Sequence, residues 1–277
     1  MPRPIDHRSP AQLRQHYEVE RELSDRLRNA TREERRLLYG PVYDELYERV
    51  PHHPQVTRKT SPELTRQALA PQLRILRRYL RPETRLLEIG PGDCALSVVL
   101  ATRVRQVYGL DVSETITQRV SLPANFKLIL SDGTSVPLPP DSVDVAFSNQ
   151  LMEHLHPDDA LEQLVGIWRA LRPGGVYICI TPNRLNGPHD ISQHFDPVAT
   201  GFHLKEYTVA ELSGLFRQVG FRKVQSLLGW RGFGIPAPVA PVIAAEALLA
   251  AVPLGARKVL GRTVGRAFLG VRLVGTK

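Results

Sequence analysis

The chain has 277 residues, 42% hydrophobic and 23% charged, enough to bury one large core with or without a smaller attachment. No apolar run reaches the roughly eighteen residues of a membrane-crossing helix, and the opening MPRPIDHRSP lacks the apolar centre of a signal peptide, so a cytoplasmic protein is expected. Two cysteines, Cys94 and Cys179, give no disulfide framework or thiolate metal site. The net charge of +8 is uneven: from Gly229 to Lys277, seven basic residues face one acidic residue, Glu246.

Residues 9–50 read as charged helices. Leu13, Tyr17, Val19, Leu23 and Leu27 set an apolar stripe on the first. Thr31 with Glu34 has the spacing of a capping box and opens a second, which Gly40-Pro41 is expected to end. Tyr43, Leu46 and Tyr47 then fall on a further short helix stopped by Pro51. This extension, residues 1–60, is expected either to cap a ligand cleft or only to pack on the core, and Tyr17 is its first candidate for ligand contact. Ser61-Pro62-Glu63 starts the next helix, with Leu69, Leu73, Leu76 and Leu80 on one face.

Five near-continuous apolar runs follow, at Arg85–Ile89, Gln106–Leu110, Phe126–Leu130, Val143–Ser148 and Val176–Ile180. Helical stretches separate most of them, the pattern of a doubly wound α/β sheet. The helix from Pro157 to Leu171 stops at Pro173-Gly174-Gly175. Thr208 and Glu211 make another capping box, opening a helix that ends at Gly220, and Phe221–Leu228 reads as a sixth strand.

The stretch LLEIGPGDCALS, Leu86 to Ser97, joins the first strand to a helix through a glycine turn. Without Cβ atoms, Gly90 and Gly92 let the chain bend sharply and let a ligand lie against it. Gly90-x-Gly92-x-x-Ala95 also fits the dinucleotide fingerprint, so a nicotinamide cofactor and hence an oxidoreductase is one reading. Asp111 ends the next strand, where a carboxylate can accept both hydroxyls of a ribose. Glu88 before the turn and Asp132-Gly133 after the third strand, an acceptor beside an adenine amino group, favour S-adenosylmethionine.

Four motifs in order, EIGPGD (88–93), GLDVS (109–113), SDGTSVPLPPDSVDVAFSNQLMEHL (131–155) and LRPGGVYICITPN (171–183), resemble the class I S-adenosylmethionine-dependent methyltransferases of the type 11 small-molecule group, close to the ubiquinone-pathway O-methyltransferases. The resemblance covers about residues 80–224 and implies a Rossmann-like, seven-stranded doubly wound sheet with an antiparallel last strand. The core is then 61–230, with a basic amphipathic insertion at 231–266 and the final strand at 267–277. Residues expected to hold the cofactor are Glu88, Gly90, Gly92, Asp111, Val112, Asp132, Gly133, Asn149 and Gln150. Some relatives carry Glu-x-x-Glu-His and bind a divalent metal. Here the first position is Gln150, an amide and a poorer ligand for a hard cation, so no metal is expected.

Methyl transfer is an in-line displacement in which the protein mainly orients the acceptor and moves a proton. Candidate bases follow the fourth and fifth strands, at the carboxyl edge where ligands bind. They are His154, with Glu153 orienting it or facing the cofactor, and His189 beside Asp190. The other reading of Glu153-His154 is a helix cap and pocket wall. The acceptor is expected to be a small lipophilic molecule methylated at oxygen. The insertion opens with the extended, proline-bearing GFGIPAPVAP. Two helices follow, apolar from Val242 to Val252 and basic amphipathic from Ala256 to Arg266. It reads as a lid over the substrate, a peripheral contact of residues 242–266 with an anionic membrane, or a solvated face with no partner. An RNA-directed methyltransferase or RNA-binding module using this tail is the alternative function. The segment lacks interleaved stacking aromatics, so no nucleic acid partner is expected.

Overall fold

The computed structural model describes residues 7–57, 62–113, 122–230, 233–262 and 270–277. The amino-terminal helices are α1 (Pro10–Asn29) and α2 (Arg32–Arg49), followed by the single turn α3 (Pro54–Thr57). α1 is capped by Ser9 and Gln12, and α2 by the expected pair Thr31 and Glu34, each in a reciprocal box. The helix end expected at Gly40-Pro41 does not occur. α2 runs through Pro41, which gives up only the bond to the Leu37 carbonyl, on a face where Leu37 is 78% exposed and water can take that carbonyl. Leu23, Leu27, Val42 and Leu46 are fully buried in the same cluster as Ile89, Leu110 and Met152, so both helices belong to the main core.

The sheet has strands β1 (Arg85–Ile89), β2 (Gln106–Asp111), β3 (Phe126–Leu130), β4 (Val143–Asn149), β5 (Leu171–Pro182), β6 (Lys223–Trp230), β7 (Phe233–Pro238) and β8 (Gly270–Thr276). Their order is β3-β2-β1-β4-β5-β8-β6-β7. β1 to β5 are parallel, with Leu86 paired to Val107 on one side and Val145 on the other. β8 slots antiparallel between β5 and β6. Eight strands therefore stand where seven were expected. The extra one is β7, from the proline-bearing segment read as the start of the insertion. Prolines are tolerated there because β7 pairs only with β6 and forms the sheet edge.

Helices cover both faces of the sheet. Leu69 and Leu76 of α4 (Pro62–Leu76) and Leu96 and Leu100 of α5 (Ala95–Ala101) pack on one. The other carries α1, α2, α6 (Pro157–Ala170), α7 (Val209–Val219) and the buried Val239 and Val242 of α8 (Val239–Ala250). α7 begins at the predicted Thr208 box and ends at Gly220 with a φ of 116°. Buried Glu246 of α8 accepts from the backbone N–H groups of Val209 and Ala210 and from Asn183 Nδ2, which ties the insertion to the start of α7. α9 (Leu254–Arg262) follows. The sequence readings at Ser61, Arg231, Val264, Arg266 and Phe268 lie outside the described residues. No described helix is long and apolar enough to cross a membrane.

Candidate active site

A cleft of about 570 Å³ opens at the carboxyl ends of β1, β2 and β4 and is walled on its other side by α2. β1 delivers the chain into the turn Gly90-Pro91-Gly92, with φ values of 68° at Gly90 and 53° at Gly92. A Cβ at Gly92 would meet no protein atom within 4 Å, whereas one at Gly90 would touch Leu151 Cδ1 at 3.0 Å. The turn thus presents bare backbone to the cleft at Gly92. Cys94 starts α5 in a left-handed conformation and is fully buried; burial pushes its thiol up to about 12, so it is inert.

Asp111 ends β2 in the cleft wall, with Val112 beside it. Its Oδ1 accepts from the N–H groups of Val112 (2.7 Å) and Ser113 (3.3 Å), and Oδ2 from Gly92 (3.2 Å). A carboxylate offers about four acceptor positions, so this geometry leaves room for one ligand hydroxyl where the sequence suggested two. Burial raises the Asp111 carboxyl, opposed by those three hydrogen bonds.

Gly90, Gly92, Asp111, Val112, Gly133, Asn149, Gln150 and His154 all line the cleft. Glu88, Asp132 and Glu153 are not among the residues lining it. Glu88 is turned into the core, where Ser97 Oγ donates to its Oε2 at 2.5 Å. Asp132 holds its own loop, accepting from the N–H groups of Thr134 (2.9 Å) and Ser135 (2.7 Å), and these bonds hold its carboxyl below the usual range against burial. Glu153 is fully buried, taking Thr181 Oγ1 at 2.8 Å on Oε2 and leaving Oε1 without a partner. Burial pushes it up to about 7. It does not orient His154, whose Nδ1 lies 3.1 Å from the Phe202 carbonyl.

Sequence reasoning missed two features. Tyr39, Tyr43 and Tyr47 stand at spacings of four along the uninterrupted α2 and all face the cleft. The supposed break at Gly40-Pro41 hid that stripe. At the end of the cleft near Gly133, Gln163 of α6 donates Nε2 to the Gly133 carbonyl at 2.7 Å, which fixes the amide and leaves buried Oε1 with no partner. A glutamine among Ala160, Leu164 and Ile167 on the buried face of α6 was the signal available. Tyr17 does not reach the cleft. Its hydroxyl donates to Asp196 Oδ2 at 2.7 Å and its ring packs on Phe195.

Gly133 has a φ of 88°, and a Cβ there would lie 2.6 Å from Tyr39 Cδ2. Tyr39 cannot yield, because its hydroxyl donates to Asp159 Oδ2 (2.7 Å) and accepts from His156 N–H (3.0 Å). Gly133→Ala is therefore expected to destabilise the fold by about 2–4 kcal/mol, read from the midpoint of urea unfolding.

A second cavity of about 200 Å³ adjoins the first and shares Glu20, His53, His154 and Phe202 with it. His16, His189 and His203 complete its imidazole lining. His189 is here rather than in the cleft, with Nε2 3.1 Å from the Asn183 carbonyl. Asp190 accepts from the N–H groups of Ser192, Gly201 and His203 and so holds the loop. Among the described residues, two trios bring metal-competent atoms within 4.8 Å of one another: His16, Glu20 and His53, and Glu153, His154 and His203. In the first, Arg8 and Glu20 occupy the two nitrogens of His16, and Gln55 N–H occupies His53 Nδ1. Gln150 belongs to neither trio. No described residue of the 233–262 segment, part of the insertion expected as a lid, lines either cavity.

Residues 87–179 match the family model described as methyltransferase domain. A probable S-adenosylmethionine-dependent methyltransferase of Mycolicibacterium smegmatis is 33% identical over 54% of this chain and 56% of its own length. A second, from Mycobacterium tuberculosis, is 31% identical over 49% of this chain and 48% of its own. The chain thus spans about half the length of the curated relatives it matches. In fold it is similar to a Haemonchus contortus phosphoethanolamine N-methyltransferase (TM-score 0.56, 16% identity, 89% of this chain, 50% of that one). It is also similar to a Haloferax volcanii complex of a putative methyltransferase with its Trm112 activator (TM-score 0.53, 20% identity, 76% and 89%).

Proposed function

The chain carries a class I S-adenosylmethionine-dependent methyltransferase domain, and from that premise we propose that it methylates a hydroxyl of a small molecule with a flat, apolar body. Bound, the cofactor supplies a methyl group already activated on a sulfonium. Bare backbone at Gly92, the remaining acceptor position of Asp111 and the unpartnered Oε1 of Gln163 fit its amino acid, ribose and adenine parts in turn.

The observation that carries the reading is the position of His154, where the cleft meets the second cavity. A backbone carbonyl can only accept, so the bond to Phe202 puts the imidazole proton on Nδ1 and leaves a lone pair on Nε2. Burial pushes His154 down to about 3, so the ring is neutral throughout the neutral range. So weak a base does not strip a free hydroxyl. It accepts that hydroxyl's hydrogen bond, aligns the oxygen, and takes the proton once bond formation has made it strongly acidic. Tyr43 stacked on Phe202 (5.0 Å between centroids, 29° between planes) and Tyr47 offer the acceptor's body an aromatic wall. Leu46, Leu151 and Leu155 keep water from the same space.

The test is a screen of phenolic and aliphatic alcohols with labelled S-adenosylmethionine, after thermal-shift titration with S-adenosylhomocysteine and NAD. Stabilisation by the first alone is expected. With an accepted substrate, His154→Ala should lower kcat by about 10–100-fold and leave cofactor affinity unchanged. An unaltered kcat takes His154 out of the reaction. The reading keeps a peripheral contact through residues 242–266, supported by exposed Leu248, Val259 and Leu260 in the segment that holds Arg257 and Lys258.

A further inference from the structure

Away from the cleft, the end of α4 and the residues after it stand beside edge strand β7 over a groove of about 330 Å³. One wall is basic, with Arg74, Arg77 and Arg78 all exposed, and among the described residues no acidic side chain lines the groove. The other is apolar. Leu227 forms its floor, while Phe233 and Ile235 stand 70% and 72% exposed, unusual for side chains of that size. The Arg74 guanidinium lies over the Phe233 ring at 5.1 Å. Tyr79 also lines the groove, and its hydroxyl is buried with no hydrogen-bond partner.

The strand edge itself narrows the choice of occupant. In the antiparallel register, Pro236 opposes Leu227 and Pro238 opposes Gln225. Proline donates nothing, so these are the non-bonded pairs, and positions 234, 236 and 238 turn their backbone outward. Only Gly234 among them has an N–H, too little to template an added strand. A free anion would use the arginines and leave Phe233 and Ile235 in water. A surface that offers anionic headgroups above an apolar layer satisfies both walls at once.

We propose that this groove docks on an anionic phospholipid bilayer. A headgroup phosphate lies among Arg74, Arg77, Arg78 and the Tyr79 hydroxyl, while Phe233 and Ile235 enter the acyl boundary. The docking does not depend on the methyl-transfer reading.

The test is co-sedimentation of the full chain with vesicles of phosphatidylcholine, alone or mixed with phosphatidylglycerol. Binding is expected to the anionic vesicles only, falling steeply as salt rises. Arg77→Glu with Arg78→Glu should weaken it about tenfold or more, and Phe233→Ser with Ile235→Ser about tenfold. Tyr79→Phe keeps the ring, so circular dichroism should be unchanged while binding weakens about threefold. No binding to anionic vesicles overturns the proposal, as does saturable binding of inorganic phosphate without vesicle binding. So does vesicle binding that survives these changes but is abolished by Lys258→Glu in α9.

Discussion

Asp111→Ala is expected to raise the dissociation constant for S-adenosylhomocysteine by about 100-fold, measured by isothermal titration calorimetry. Two losses add. A charge-assisted hydrogen bond to a ribose hydroxyl is worth about 1.5–3 kcal/mol, which alone is roughly 10–150-fold. The carboxylate also ties β2 to the glycine turn, since Oδ2 accepts from Gly92 N–H while Oδ1 holds Val112 and Ser113. Without it three backbone donors lose their partner and the turn is no longer held in shape. Asp111→Asn should recover little, because its Nδ2 must face either Gly92 N–H or the Val112–Ser113 pair, donor against donor. Burial raises this carboxyl, so affinity should fall as acid protonates it, earlier than for an exposed aspartate. A dissociation constant unchanged in both variants would remove Asp111 from the cofactor site.

The parallel half of the sheet was legible because its strands are short apolar runs between helices, and β1 and β3 match the sequence reading at both ends. Local chemistry likewise placed α7, where Thr208 caps and Gly220 terminates. Legibility failed where tertiary contact overrides a local rule. Pro41 ends a helix by propensity, yet Val42 and Leu46 bury against the core and carry α2 past it, so Tyr39 before the notional break and Tyr43 and Tyr47 beyond it were not read as one stripe. β7 was hidden by Pro236 and Pro238, which only a one-sided edge position tolerates. In the site, sequence identified which residue types stand near the ligand but not which way they face. Glu88 and Asp132 occupy the expected places in the motifs and spend their oxygens on Ser97 and on the 134–135 backbone. Gln163 had no motif at all, yet it is the side chain at that end with an acceptor to spare.

Glu88→Gln is expected to raise the melting temperature at pH 8 and to leave it nearly unchanged at pH 5. Glu88 is 5% exposed, and burial pushes its carboxyl from the ordinary 4.5 up to about 7; Asp93 and Asp111 add to the rise and the Ser97 hydroxyl opposes it. Between pH 4.5 and about 7 the folded chain therefore keeps a proton that the unfolded chain has released, so stability falls as pH rises through that window and is level above it. The full penalty is on the order of 3 kcal/mol. Glutamine stays neutral at every pH and still offers an oxygen to Ser97, although its new amide N–H groups need partners, so a gain of about 1–3 kcal/mol at pH 8 is the expectation. The histidines run the other way. His53 and His154, pushed down to about 4 and about 3 by burial, lose stability as pH falls below 6.5. The comparison must therefore be variant against parent at each pH, where those contributions cancel. Glu153, pushed up to about 7 by burial as well, is a poorer probe because the His203 cation nearby counteracts its shift. A melting difference for Glu88→Gln equal at pH 5 and pH 8 would mean that Glu88 is already ionised in the folded protein at pH 5, with its charge satisfied by a partner other than Ser97.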